Sequence, residues 1–352
     1  MFMKETMKAV RLYGKGDLRL VEIPVPKITD EEILLQVKAA GICGTDLKNW
    51  KFGHPAATAE NPRVPGHEFS GVIAEVGKKV PFYKVGMEIC VQPNMGCGIC
   101  DECVSGNTHN CSDLRAIGIN VDGAFAEYLV IPAAAIRQGN IMVLPEGVSH
   151  EEAAINEPLS CAYSGFLKCQ VKPGDNAVVI GAGAIGILHA MLLRMAGCAK
   201  VIVSDVSEKR LADAEKILPG IRTYCGNDLK AFVLAETGGK GADVAITANP
   251  VPKCQQEAIE LMARGGRVNF FGMIPKEYQP VPIDTNIIHS KALIVTGNSR
   301  SSVSEYRKTM EFVGAGLLPV KSVITNTYSI EECLKAYENA RDGVGLKHVI
   351  VF

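Results

Sequence analysis

The chain has 352 residues, of which 47% are hydrophobic and 21% charged, and its formal net charge is −1. That length accommodates two ordinary domains with sizeable cores, and the composition excludes a disordered or fibrous chain. The near-neutral charge leaves no electrostatic footprint for nucleic acid or an anionic membrane, and no apolar run approaches the roughly 20 residues that span a bilayer.

The opening Met1-Phe2-Met3-Lys4-Glu5-Thr6-Met7 is too polar for a secretory signal. The expectation is a cytoplasmic protein whose first six residues, ahead of the first strand, are either an extension or the product of a late-read start. Residues 8–12, 17–23, 32–38 and 69–76 alternate apolar and polar positions in the strand manner, punctuated by Pro24, Pro26, Pro65, Gly77 and Gly86. The first 150 or so residues therefore read as β-rich.

The pattern changes after Pro158. A helix over 159–170 leads through Val171-Lys-Pro-Gly-Asp to a short buried strand at 177–180, and a helix over 184–196 follows. The next strand is 201–205 and the next helix 208–217, with further strands at 243–247, 266–271 and 292–296. Strands alternating with helices mean βαβ units and a parallel sheet. From Ser302 the chain reads as two helices and a closing strand, His348-Val-Ile-Val.

The strand at 177–180 runs into Gly181-Ala182-Gly183-Ala184-Ile185-Gly186 and then a helix. The first glycine permits the tight turn, the second admits a pyrophosphate close to the backbone, and the third lets helix and strand pack. The helix N-terminus offers N–H groups and partial positive charge to the phosphates. Asp205 lies 19 residues past Gly186, at a strand end, where its carboxylate can accept from ribose hydroxyls and repel a 2′-phosphate. Val206 rather than Arg follows it, which favours NAD over NADP. Arg210 joins these residues as a coenzyme-binding candidate. The plainer alternative is a glycine turn in an ordinary βαβ unit.

Twelve cysteines in a chain with no export signal read as thiols, metal ligands or core residues. Cys97, Cys100, Cys103 and Cys111 fall within fifteen residues. Four thiolates in one loop suit a closed tetrahedral zinc site that stabilises a segment with little core of its own. An iron–sulfur cluster of the bacterial ferredoxin kind would carry its fourth cysteine three residues on, followed by proline. Here the gap is seven and Ser112 follows. Metal-free cysteines are the remaining alternative. A second set is dispersed: Cys43 in Gly-Ile-Cys-Gly-Thr-Asp, His67 and Glu68 in Pro-Gly-His-Glu, and Glu157 in Asn-Glu-Pro. One thiolate, one imidazole and one or two carboxylates suit an open zinc site with a position left for water or substrate. Taken singly, each has a plainer reading: a core thiol, a satisfied histidine, a carboxylate at a helix start.

With these motifs in place, the sequence resembles the zinc-containing medium-chain alcohol dehydrogenase family over nearly its whole length. An acid at Glu157, where classical alcohol dehydrogenases carry a cysteine, is similar to the polyol branch of sorbitol, L-iditol, threonine, butanediol and galactitol-phosphate dehydrogenases. The resemblance implies an α/β plus β fold: a GroES-like catalytic domain at 7–157 with a structural-zinc lobe at 95–113, an inserted doubly wound Rossmann domain at 158–297, and a return to the catalytic domain at 298–352. It implies two zincs per chain, a catalytic one at Cys43, His67, Glu68 and Glu157 and a structural one at the four clustered cysteines. It further implies hydride transfer from a secondary alcohol to NAD, giving a ketone, with Thr45 passing the alcohol proton onward and Asp46 orienting a neighbour. A small-molecule alcohol, no nucleic acid or membrane, and a homodimer or homotetramer complete the expectation.

The sequence departs from sorbitol dehydrogenases at Lys48 and Asn49, where His and Tyr are usual. Lys48, Lys51 and Arg300 read either as surface cations or as charge for a phosphorylated polyol. Asn249-Pro250 stands where a small glycine is usual after the fourth strand of the Rossmann series. A threonine-type or butanediol dehydrogenase, and a non-enzymatic NAD sensor keeping only the structural zinc, are the competing readings.

Overall fold

The computed structural model describes residues 5–352. Met1–Lys4, part of the expected N-terminal extension, lie outside the described residues; Thr6 already belongs to the first strand, Thr6–Gly14. The chain divides into two compact units, one made by the chain up to Pro158 together with Ser301–Phe352, the other by Leu159–Arg300. No helix among the described residues is long and apolar enough to cross a membrane.

The first unit is built on a seven-stranded sheet. Its central strand, Ile33–Gly41, pairs antiparallel with Glu68–Val76, with Tyr128–Ile131 and with the closing strand Lys347–Val351. Ile33, Leu34 and Leu35 are all fully buried. Burial of three consecutive residues means that both faces of this strand are covered, so its apolar residues run together instead of alternating. Phe69, Ile73, Phe125 and Tyr337 fill the adjoining core. The register sets Gly41 opposite Glu68 on one side and opposite Val349 on the other. Three segments far apart in sequence thus meet at one end of the sheet.

The second unit is a six-stranded sheet in which all pairings are parallel. In chain order its strands are Asn176–Ile180, Lys200–Ser204, Arg222–Tyr224, Ala242–Thr247, Met262–Phe270 and Ile294–Gly297. Their spatial order is third, second, first, fourth, fifth, sixth. That is the doubly wound dinucleotide arrangement, with its topological switch between Asn176–Ile180 and Ala242–Thr247. The helix expected from residue 159 begins earlier, at Asn156. Pro158 sits in its first turn, where the missing N–H would have had no partner in the helix anyway.

Candidate active site and coenzyme cradle

In the first unit, Cys43 is the N-cap of the helix Gly44–Phe52, directly after the central strand. The Asp46 carboxylate turns back to accept from the Cys43 N–H at 2.9 Å, which fixes the start of the helix. His67 follows Gly66, whose φ of +97° and close approach to the Phe125 backbone N (3.0 Å from an added Cβ) exclude a side chain. Glu68 opens the strand paired with Gly41. The ligand atoms of Cys43, His67 and Glu68 all lie within 4.8 Å of one another. His67 and Glu68 are buried and Cys43 half-buried. Glu157 is buried at 7% exposure and falls outside that three-residue group. Thr45 is exposed on the same helix as Cys43.

The charge balance of this group fits a cation. Burial is the largest influence on His67 and opposes its charge, yet Cys43 and Asp46 together outweigh it and raise its pKa well above the ordinary value. His67 Nδ1 and Asp46 Oδ1 face each other at 3.6 Å, and neither buried atom has a hydrogen-bond partner. That separation is too long for a good hydrogen bond, so the two groups meet as a carboxylate facing an imidazole. Such a carboxylate–imidazole pair leaves the other ring nitrogen as the ligand. One thiolate, one imidazole and a carboxylate are a zinc donor set with a position to spare.

Sequence reasoning does not reach Lys347. Its ammonium is buried at 2.7 Å from Glu68 Oε1 and 2.5 Å from Oε2, and it donates to the Ile42 carbonyl at 2.8 Å. Burial disfavours its charge, but Glu68 and Cys43 outweigh that and hold its pKa above the usual lysine value. Gly41 makes room for the pair: a Cβ there would lie 2.2 Å from Glu68 Oε2 and 3.3 Å from Lys347 Cε. The sole hint in the sequence is a lysine at the head of an apolar closing strand.

The four clustered cysteines converge as well, their sulfurs within 4.8 Å of one another. The Cys97–Cys103 and Cys100–Cys111 sulfur separations are 4.0 and 3.8 Å. Zn–S bonds of ~2.3 Å in a tetrahedron place sulfurs about 3.8 Å apart, whereas a disulfide needs about 2.05 Å. The loop admits no side chain at Gly96, whose Cβ would meet Cys103 Sγ at 2.3 Å. Gln138 ties it down by accepting from the Gly96 N–H at 3.0 Å and donating to the Gly96 carbonyl at 2.7 Å. Cys100→Ser is expected to remove one zinc per chain and lower Tm by on the order of 10 °C. Unchanged metal content by elemental analysis would refute the assignment.

In the second unit, Gly181 has φ +117°, and a Cβ on Gly186 would lie 1.8 Å from the Gly181 carbonyl oxygen. The turn and the helix–strand contact therefore both require glycine. Around Gly183 there is open space. The helix Ala184–Met195 starts there with no side-chain cap, so the N–H groups of Ala184, Ile185 and Gly186 face outward with the positive end of the helix dipole. Asp205 accepts from the Ala182 N–H at 2.8 Å and from the Ser207 N–H at 2.9 Å. These bonds fix the carboxylate beside the glycine turn and leave lone pairs for a ribose. Arg210 lies on the helix Glu208–Ile217, and its backbone N–H is capped by Ser207. Asn249 donates to the Ile180 carbonyl at 2.9 Å and accepts from the Val251 N–H, bracing the ends of two adjacent strands. Lys48, Lys51 and Arg300 are all exposed.

Residues 29–140 match the alcohol dehydrogenase GroES-like domain, and residues 184–315 match the zinc-binding dehydrogenase domain. An L-threonine 3-dehydrogenase from Bacillus licheniformis is 34% identical, over 99% of this chain and all of its own. The chain belongs to the zinc-containing medium-chain alcohol dehydrogenase family. Within that family, a sorbitol dehydrogenase from Bacillus subtilis is 30% identical, over 96% of this chain and 94% of its own. The crystal structure of a 2R,3R-butanediol dehydrogenase from Bacillus subtilis superposes with a TM-score of 0.87 at 26% identity, covering 98% of this chain and 99% of that one. The protein is thus an oxidoreductase of the NAD(P)-dependent, zinc-binding alcohol and polyol dehydrogenase kind, with GroES-like and Rossmann parts.

Proposed function

We propose that this dehydrogenase oxidises a secondary alcohol of a polyol or sugar alcohol, phosphorylated ones included, to a ketone, with NAD as hydride acceptor. The observation that carries the reading is the convergent Cys43–His67–Glu68 group with Lys347 against its carboxylate. In this reading Cys43 and His67 hold the catalytic zinc, Glu68 is held beside them by Lys347, and Glu157 contributes a further buried carboxylate. A zinc ion there supplies Lewis acidity that eases loss of the alcohol's proton near neutral pH. Thr45, two residues past Cys43 and exposed, would accept that proton at Oγ1 while giving up its own hydroxyl proton toward the nicotinamide ribose and water. Asp46 fixes the His67 ring. The second zinc, at Cys97, Cys100, Cys103 and Cys111, is structural, because four thiolates leave no open position.

The dinucleotide lies along Gly181–Gly186, with Asp205 on the adenosine ribose. If its carboxylate selects NAD, Asp205→Asn lowers the NAD-over-NADP ratio of kcat/KM at least about tenfold, a loss of roughly 1.4 kcal/mol of discrimination. Equal efficiency of the parent enzyme with NADP would remove this role.

An amino-alcohol or butanediol substrate is the second reading, favoured by the threonine and butanediol dehydrogenases among the relatives. NADH release measured over polyols, polyol phosphates, sugar-acid alcohols, 2,3-butanediol and L-threonine separates the two. Turnover of L-threonine alone would overturn the polyol reading.

A further inference from the structure

Strand register alone does not set the distance between Cys43 and His67. The ladder between their strands ends where Gly41 faces Glu68. Cys43 lies beyond that end, as the cap of the helix Gly44–Phe52, and His67 lies just outside it, after the Gly66 turn. Both ligand-bearing segments overhang the sheet, and the packing that holds them converges on Tyr337.

Tyr337 belongs to the helix Cys333–Arg341 and is fully buried. Its ring stands edge-on to Trp50 at 5.7 Å and 89°, and edge-on to Phe125 at 5.8 Å and 72°. Both are favourable aromatic geometries. Trp50 is on the Cys43 helix, one turn past Asp46 and on the same face. Asp46 accepts from the Cys43 N–H and faces the His67 ring. Arg341, one turn past Tyr337, lays its guanidinium over the same Trp50 ring at 5.7 Å. Phe125 belongs to the other segment. Three backbone hydrogen bonds tie it to the His67 turn: the N–H groups of Gly123, Ala124 and Phe125 donate to the carbonyls of Val64, Gly66 and Pro65 at 2.7, 2.9 and 3.0 Å. The Phe125 ring also presses on Gly66, where an added Cβ would lie 3.1 Å from its Cγ. The Tyr337 hydroxyl is buried without a hydrogen-bond partner, so this side chain holds its neighbours through the ring.

We propose that Tyr337 is a positioning residue for the catalytic metal: its ring spaces the Cys43 helix from the His67 turn, so that thiolate and imidazole stand at binding distance before zinc arrives. The inference rests on the reading of Cys43 and His67 as zinc ligands. Ligands that are already held in place need no ordering when the metal binds, and supporting residues therefore govern affinity. Protein interiors are close-packed, so a smaller side chain at 337 leaves a gap into which both segments relax. Tyr337 acts through Trp50 and Phe125 and touches neither ligand itself.

Competition of the full-length protein against a chelator, with zinc counted per chain, measures affinity at each site. His67→Ala identifies the catalytic site, and the four-cysteine site is the internal control. Tyr337→Leu is expected to weaken zinc binding at the catalytic site at least about tenfold, the range for residues that support metal ligands, and to leave the other site unchanged. Tyr337→Phe keeps the ring contacts and is expected to bind within about twofold of the parent. Parent affinity in the leucine variant would overturn the inference. Equal weakening at both sites would do so too, since it marks a side chain that serves only the stability of the unit. A phenylalanine variant as weak as the leucine one would put the role in the hydroxyl and refute the ring. If the leucine chain does not fold, Trp50→Leu cuts the same linkage at a half-buried ring, and it is expected to weaken the same site; parent affinity there is the overturning result. A parent from which His67→Ala removes no zinc would refute the ligand reading and this inference with it. Zinc lost in His67→Ala but held normally in Tyr337→Leu would refute this inference alone.

Discussion

His67→Ala is expected to lower kcat at least about a thousandfold while the enzyme still binds NADH. The size follows from what the residue does in the proposed site. Lewis acidity at a bound metal stabilises the transition state by several kcal/mol, and each 1.36 kcal/mol is a factor of ten in rate. His67 supplies the imidazole of a three-residue group whose ligand atoms all fall within 4.8 Å. Losing it leaves one thiolate and the carboxylates of Glu68 and Glu157, a set without its imidazole that holds the metal far less tightly. The glycine turn and Asp205 belong to the other compact unit, so their hydrogen bonds survive the change. Steady-state kinetics, zinc content and a fluorescence titration with NADH check the three parts separately. Turnover within tenfold of the parent would remove His67 from the chemistry. Lost turnover accompanied by lost NADH binding would point instead to general misfolding.

Two kinds of information specify the donor sets. The four cysteines of the loop lie within fifteen residues, so their convergence follows from local chain geometry and is legible in spacing. The glycine turn is legible for the same reason. Cys43, His67 and Glu68 meet because Gly41 pairs with Glu68 across two strands, and register is a property of the folded sheet. In sequence each of the three has an ordinary alternative, and only the family pattern brings them together. Lys347 is further removed, 279 positions from Glu68. A lysine on a buried strand carries no mark of its partner. Among the elements, Arg222–Tyr224 is too short to show alternation. The helix Pro252–Glu260 begins on a proline that reads as a breaker until it is seen at a helix start, where it is favourable. The central strand gives the opposite lesson: Ile33, Leu34 and Leu35 run together because both faces are covered, so strict alternation describes only part of it.

The same Lys347 leads to the largest stability effect expected of a single substitution in this chain. Lys347→Met should destabilise the protein by roughly 3–5 kcal/mol, because it leaves a fully buried carboxylate without its counter-ion. Methionine fills most of the lysine's volume, so the loss measures charge rather than packing. Glu68 has no route to water, and its two oxygens face the ammonium at 2.7 and 2.5 Å. The Ile42 carbonyl loses a donor as well, which adds a smaller penalty. The companion variant Lys347→Met/Glu68→Gln removes both charges and should recover most of the stability, since an uncharged pair in that position needs no counter-ion. Urea unfolding of the single and double variants gives the coupling directly. A single variant within about 1 kcal/mol of the parent would mean that the pair is exposed to solvent in solution. Activity separates the two roles of the carboxylate. If Glu68 matters only as a buried charge, the double variant regains turnover along with stability. If it also acts beside the metal, the double variant regains stability and stays slow.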